Sequence, residues 1–280
     1  MTDVIPRRSA LYMPGSNARA QDKARSLPTD VVIFDLEDAV APDAKAEARA
    51  CVAQSIRDGG YSRRELVVRI NALDTAWGAE DLEVAAALPV QGILLPKVER
   101  AAQVDAVAAR AVGKPIWVMV ETPAGVQNVE AIAGHDRVAV LVMGTSDLVA
   151  DLRARHRPDR SNLRYALQRC VLAARAAGVD VLDGVHLAYQ DQESFAAVCE
   201  DGRDMGMDGK TLIHPTQIGI ANRIFGVSGE EVAHAEAVIA AWEEARAAGQ
   251  GVAVLNGQLI ENLHVSEARR ALALARAAES

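Results

Sequence analysis

Residues 116–122 read Ile116-Trp117-Val118-Met119-Val120-Glu121-Thr122. Five apolar residues follow one another without alternation, and a carboxylate appears where the run stops. An unbroken apolar run of this length suits a strand buried on both faces, as in a parallel sheet covered by helices. Charge at the carboxyl end of such a strand sits where α/β folds place their chemistry. One unit downstream the pattern returns: Val138 to Met143 is apolar, and Gly144-Thr145-Ser146-Asp147 closes it. Two neighbouring strands that each deliver an acid to one edge would hold a hard divalent cation.

Outward from this pair, eight short apolar segments alternate with helical patterns. The expected strands are Ser9–Met13, Val31–Leu36, Leu66–Ile70, Gly92–Leu95, Ile116–Val120, Val138–Met143, Val179–Leu182 and Gly209–Ile213. Ala-rich amphipathic segments such as Lys45–Arg57, Ala101–Val112, Leu163–Ala177 and Ser194–Met205 lie between them. Eight strand–helix repeats favour a (β/α)8 TIM barrel over an open doubly wound sheet. Polar residues follow every strand: Asp35-Leu36-Glu37-Asp38 after the second, Arg69-Ile70-Asn71 after the third, Pro96-Lys97-Val98-Glu99 after the fourth. A barrel would gather them on one rim, which is the signature of an enzyme. The barrel is expected over residues 1–226, with a C-terminal helical extension, 227–280. In that extension Glu230–Ala248 reads as a helix, Val252–Gly257 as a hairpin or extended arm, and Val265–Ala278 as a last helix. Residues beyond a complete barrel should cover its mouth or reach a neighbouring subunit.

Composition narrows the function classes. The formal net charge of −8 argues against a nucleic-acid surface. Only 4% of residues are aromatic, so Ala, Val and Leu must fill the core. Cys51, Cys170 and Cys199 are far apart and form no CxxC, which reads as reduced thiols. No apolar run approaches a membrane span, and the start lacks a leader-like apolar stretch. A soluble cytoplasmic protein is expected.

Seven motifs occur in order: Ala-Leu-Tyr-Met-Pro-Gly-Ser-Asn (10–17), Phe-Asp-Leu-Glu-Asp-Ala-Val (34–40), Val-Arg-Ile-Asn (68–71), Leu-Pro-Lys-Val-Glu (95–99), Glu-Thr-Pro-Ala-Gly-Val (121–126), Met-Gly-Thr-Ser-Asp-Leu (143–148) and Gly-Lys-Thr-Leu-Ile-His-Pro (209–215). Together they resemble the citrate lyase β-subunit-like, HpcH/HpaI aldolase-like family of CoA-ester lyases, which includes malyl-CoA and citramalyl-CoA lyases. The segments 204–215 and 257–264 are similar to its (3S)-malyl-CoA thioesterase branch. The resemblance implies a TIM barrel with a C-terminal extension, a homotrimer, a need for Mg²⁺, and a CoA-thioester substrate. It also implies contacts of Lys23 with the CoA phosphates and of Glu261 with proton transfer. The lyases carry Asp at the position of Glu261, and the extra methylene admits hydrolysis as an alternative.

Read residue by residue, Glu121 and Asp147 hold the metal and, with it, a 2-hydroxy or 2-oxo carboxylate. The alternative is that both merely cap strand ends. Arg69 binds substrate and steadies an enolate oxygen, since guanidinium supplies fixed charge without losing a proton. Asp38 contacts metal-bound water, and Glu37 pairs with a rim cation, Lys97 or Arg69. Ser16, in the Pro14–Asn17 turn, faces a phosphate; Tyr12 stacks on adenine or belongs to the core. His214 and His186 order the rim. The leading expectation is retro-aldol cleavage of a malyl-CoA or citramalyl-CoA thioester to acetyl-CoA and a 2-oxoacid. The alternatives are thioester hydrolysis and a citrate lyase β-subunit acting on an acyl-carrier partner.

Overall fold

A computed structural model of the chain describes residues 4–279. Eight strands, β1 (Ser9–Pro14), β2 (Val31–Asp35), β3 (Glu65–Arg69), β4 (Gly92–Leu95), β5 (Ile116–Val120), β6 (Val138–Met143), β7 (Asp180–Asp183) and β8 (Gly209–Leu212), pair in chain order. Every pairing is parallel, and β8 returns to β1, so the sheet closes into a barrel. The connections carry α1 (Ala18–Ala24), α2 (Lys45–Asp58), α3 (Gly78–Ala87), α4 (Ala101–Ala108), α5 (Pro123–Gln127), α6 (Val129–Ala133), α7 (Thr145–Asp151), α8 (Arg164–Ala177) and α9 (Gln192–Asp204). α10 (Ile218–Ile224) follows β8, and α11 (Gly229–Ala247), β9 (Ala253–Leu255), β10 (Gln258–Ile260) and α12 (Asn262–Glu279) complete the chain.

The unbroken apolar runs are explained by burial on both faces: every residue of β2, β3, β4 and β5 is buried. Alternate side chains point into the lumen. Ala10, Val31, Ile33, Val67, Leu94, Trp117, Met119, Val140, Val142 and Leu182 form that inner core, with Tyr12 packed against it. Trp117 pairs with Leu94 across the β4–β5 ladder and fits because Gly92, two residues earlier on β4, has no side chain. A Cβ on Gly92 would lie 2.8 Å from the indole Nε1. The same alternation carries three functional side chains inward: Asp35 follows Val31 and Ile33, Arg69 follows Val67, and Glu121 follows Trp117 and Met119.

The amino-terminal mouth is closed by an ionic plug. Arg7 donates to Glu65 (2.7 and 2.9 Å) and Asp180 (2.6 Å), and its guanidinium covers the Trp117 ring at 5.2 Å. A second ion cluster faces the helix layer. Asp183, one residue past the inward Leu182, accepts from Lys210 (2.7 Å) and Arg160 (2.8 Å). Lys210 and Asp183 are both wholly buried. Burial pushes the Asp183 carboxyl up, but Lys210 and Arg160 outweigh it and hold it below the usual carboxylate range.

Contacts divide the chain into two compact units, Arg7–Ala221 and Asn222–Ser280 with Met1–Pro6. In the second, α11 and α12 enclose a small core around Trp242, Val238, Ile260 and Val265. The arm expected over Val252–Gly257 is a hairpin, β9 pairing antiparallel with β10. Its two-residue turn is Asn256-Gly257, both at positive φ (52° and 78°), the conformation that matches strand twist and that Asn and Gly tolerate. Strand boundaries fall within one residue of those expected from the sequence. α4 is the clear difference: it stops at Ala108 instead of Val112, because the chain turns ahead of Gly113 (φ +80°) and Pro115. Among the described residues no helix is long and apolar enough to cross a membrane.

Replacing Lys210 by Met strands a buried carboxylate with one partner fewer, a change that costs about 3–5 kcal/mol. The expected outcome is a melting temperature lower by roughly 10 °C at pH 7, read by circular dichroism. Asp183 is depressed in the folded state, so its contribution is present above the ordinary carboxylate value of about 3.9 and is lost as pH falls through its folded value. The gap between wild type and Lys210→Met should therefore narrow as pH drops below about 4. A gap that stays constant would contradict the assignment.

Candidate active site

At the carboxyl end of the barrel one cation organises the acids. Arg69 Nε and Nη2 donate in parallel to the two oxygens of Asp35, each at 2.7 Å. Asp35 is fixed in turn by the backbone N–H groups of Glu37 (2.9 Å) and Ala39 (3.0 Å). The forked geometry leaves Nη1 for other partners. It lies 2.8 Å from Glu37 Oε2 and 3.3 Å from Asp38 Oδ2, with Met119 Sδ at 3.5 Å. The Tyr12 ring stacks beneath the guanidinium at 4.8 Å.

Glu37 is buried, and its Oε2 accepts no hydrogen bond although it lies beside Nη1: the contact is an ion pair off the N–H direction. Burial dominates its titration and pushes the carboxyl up to about 8, against the pull of Arg69 and with the help of Asp38. Its backbone is pinned from behind. The buried Lys45 Nζ donates to the carbonyls of Leu36 (2.8 Å) and Glu37 (2.7 Å) and to Asn71 Oδ1 (2.8 Å).

Glu121 shares this environment. Burial raises it to about 7, opposed by the Lys97 N–H, which donates to Oε1 at 2.7 Å, and reinforced by the charge of Asp147. Lys97 reaches that position through a positive φ of +51° immediately after β4. Its ammonium is exposed; partial desolvation lowers its pKa, but the fields of Glu37, Glu121, Asp147 and Asp38 outweigh this and raise it.

Asp147 stands in the first turn of α7, half-buried. The turn that delivers it is cut to fit Glu121: a Cβ on Gly144 would meet the Glu121 Cβ and lie 2.5 Å from Oε2. Glu121 and Asp147, whose charge acts on it, present two carboxylates at this rim. Among the described residues no group of three His, Cys, Asp or Glu side chains could hold a metal. That donor set does not suit zinc, which takes three or four nitrogen or sulfur ligands. It fits a hard cation such as magnesium, which binds one or two carboxylates and leaves positions for substrate and water.

The other expected site residues divide. Asp38 is exposed beside Arg69, and of the two cations considered for Glu37 the ion pair is with Arg69. Ser16 and Lys23 are exposed, on the β1–α1 turn and on α1. Asn17 caps α1 by accepting from the Ala20 N–H. Tyr12 belongs to the lumen, its hydroxyl 3.8 Å from Met119 Sδ. His214 caps the turn at Pro215, accepts from the Thr216 N–H and stacks on Tyr189 at 4.6 Å. His186 contacts Ser194 at 3.0 Å. Glu261 is exposed at the start of α12, its N–H donating to His264 Nδ1. Sequence reasoning did not find the roles of Asp35, Lys45 and Gly144. The glycine ahead of Thr145-Ser146-Asp147 was the one available signal.

The profile of the HpcH/HpaI aldolase/citrate lyase family matches residues 8–215. The chain belongs to that family. It is 50% identical to (3S)-malyl-CoA thioesterase of Cereibacter sphaeroides over 272 residues, 97% of this chain and 95% of that protein. It is 35% identical to citrate lyase subunit beta of Leuconostoc mesenteroides subsp. cremoris, over 97% of this chain and 94% of the relative. The structure of CitE from Mycobacterium tuberculosis in complex with magnesium, acetoacetate and coenzyme A matches with a TM-score of 0.80 at 32% identity, covering 97% of this chain and 98% of that one. The family fold is therefore the barrel seen here, and its members are enzymes named for a thioesterase and for a lyase subunit.

Gly144 has an ordinary φ of −94°, so Ala there meets no backbone penalty and fails only by collision with Glu121. Gly144→Ala forces the fixed Glu121 Cβ to shift, so the variant should melt several degrees below wild type and, in its folded form, lose at least about tenfold in affinity for a divalent cation, measured by isothermal titration. Unchanged affinity would show that Glu121 and the Gly144 turn do not form one site.

Proposed function

We propose that the protein is a magnesium-dependent enzyme acting on malyl-CoA-type thioesters, and that its reaction is hydrolysis of (3S)-malyl-CoA. The observation that carries this reading is the 50% identity to (3S)-malyl-CoA thioesterase along 97% of the chain. It reverses the order expected from the sequence, where carbon–carbon cleavage stood first. Magnesium is supported by the two-carboxylate donor set and by the magnesium found in CitE. Glu121 and Asp147 would hold the ion, which supplies the positive charge that chelates and polarises a hydroxycarboxylate.

The chain's own residues then have distinct tasks. Arg69 presents Nη1 to the substrate oxygen on which negative charge develops, and the Asp35 fork keeps that nitrogen in place. Glu37 Oε2, 2.8 Å from the same nitrogen, helps hold it in place. Asp38, exposed beside Nη1, positions water. Lys23 and Ser16, both exposed, are assigned to the CoA side, whereas Tyr12 supports Arg69 from the lumen. Glu261 serves as acid or base in the site of a neighbouring subunit of a homotrimer.

Retro-aldol cleavage is the second reading, and Arg69 favours it. A permanently charged guanidinium aimed into a buried acidic site is what a thioester enolate needs, whereas hydrolysis needs it less.

Incubation with Mg²⁺ and malyl-CoA, following thiol and 2-oxoacid separately, distinguishes the two. Thiol without oxoacid is expected; oxoacid without thiol would replace hydrolysis by cleavage, and neither product would overturn both. In either case Arg69→Lys should lower kcat by about 10²–10³-fold, since the fork to Asp35 cannot be remade.

Subunit mixing tests Glu261. Glu121→Gln and Glu261→Gln should each be inactive alone. Co-refolded in equal amounts, they should recover activity in roughly a quarter of sites, those combining one intact barrel with one intact tail. No recovery would place Glu261 outside the neighbour's site.

A further inference from the structure

We propose that a cavity behind α7 is a second binding site, taking a small organic carboxylate with an apolar body. The site is separate from the acid cluster and independent of the reaction assigned above. The cavity has a volume of about 370 Å³ and is lined on the α7 side by Thr145, Ser146 and Val149. At 3.6 residues per turn these three side chains lie within about 100° of one another on the helix. Asp147 lies about 200° from Thr145, on the opposite face. One short helix therefore carries a ligand for the rim site on one side and the wall of this cavity on the other.

The chemistry of the lining selects the occupant. Its floor is apolar and buried, with Val149, Leu163 and Val198, while Val185, Leu187 and Ala188 form one side. No Asp or Glu lines it, whereas Arg157, Arg160, His156 and His186 do. Arg157 donates Nε and Nη2 to Asp159, at 3.0 and 3.1 Å, which leaves Nη1 available. Arg160 belongs to a network in which three cations, Lys210, Arg160 and Arg164, share two carboxylates, Asp183 and Asp201. Within that network cations outnumber carboxylates three to two, and Asp191 acts on the lining His186 from outside it. An apolar floor with a positive rim recognises an anion that has a hydrocarbon tail, and the volume lies within the range of small-molecule sites. A hexanoate-sized molecule fits it; a bare anion would leave the floor empty.

Titration calorimetry of the full chain, in EDTA so that no metal bridges a carboxylate, uses hexanoate as the probe with acetate and 1-hexanol as controls. Hexanoate is expected to bind one site with a Kd of about 1 mM or tighter, and each control at least about tenfold more weakly. Val149→Trp fills the floor and should abolish the signal. Ala188→Trp blocks the exposed mouth and gives the same readout if the core variant does not fold. Arg157→Ala should weaken hexanoate about tenfold and leave hexanol unchanged. Binding that survives a folded Val149→Trp or Ala188→Trp overturns the proposal, as does hexanol binding as tightly as hexanoate. No hexanoate binding overturns it as well.

Discussion

The fork between Arg69 and Asp35 is the interaction on which the carboxyl end of the barrel depends. A guanidinium at the top of a sealed lumen loses its hydration and must find charge and hydrogen bonds in the protein. Asp35 satisfies two of its nitrogens in parallel, and two backbone N–H groups satisfy Asp35 from the other side. Because adjacent strands β2 and β3 place the two residues directly opposite each other in register, the pair forms wherever the sheet forms. Once it exists, the remaining nitrogen is aimed at Glu37 and Asp38, and the geometry of the rim follows.

Around this fork four more carboxylates and one lysine are held closer than water alone would allow. The consequence is seen in Glu37 and Glu121, whose carboxyls are raised to about 8 and about 7 chiefly because burial disfavours their charge. A divalent cation between Glu121 and Asp147 would relieve the repulsion that contributes to the Glu121 shift. The opposite mouth shows the contrasting solution. There Arg7 meets Glu65 and Asp180 in a compact plug over Trp117, one guanidinium donating to both acids. One end of the barrel is plugged by a shared guanidinium, and the other gathers the rim acids around Arg69.

Most of the barrel was legible from residue order. Unbroken apolar runs identify strands buried on two faces, and the residue after each run identifies the rim. Ile116–Val120, Val138–Met143 and Gly92–Leu95 coincide with the strands observed. Helix ends were harder to read, as α4 illustrates, because an Ala-rich segment has no apolar stripe sharp enough to show where tertiary contacts cease. The acids Glu121 and Asp147 were visible as strand-end charges. The groups that hold the rim acids, Lys45 on the Glu37 backbone and the Lys97 N–H on Glu121, were not, since those contacts lie 8 and 24 residues apart in sequence.

Residue order by itself determined the alternation of strand and helix, the side on which polar groups collect, and the kinship carried by seven ordered motifs. Those properties depend on local periodicity and on neighbours along the chain. Tertiary structure alone decided which rim acid pairs with Arg69 and which carboxyls are raised. It also decided that α7 shows Asp147 to one space and Val149 to another. Such outcomes depend on distance and desolvation, and both exist only after β8 has closed on β1.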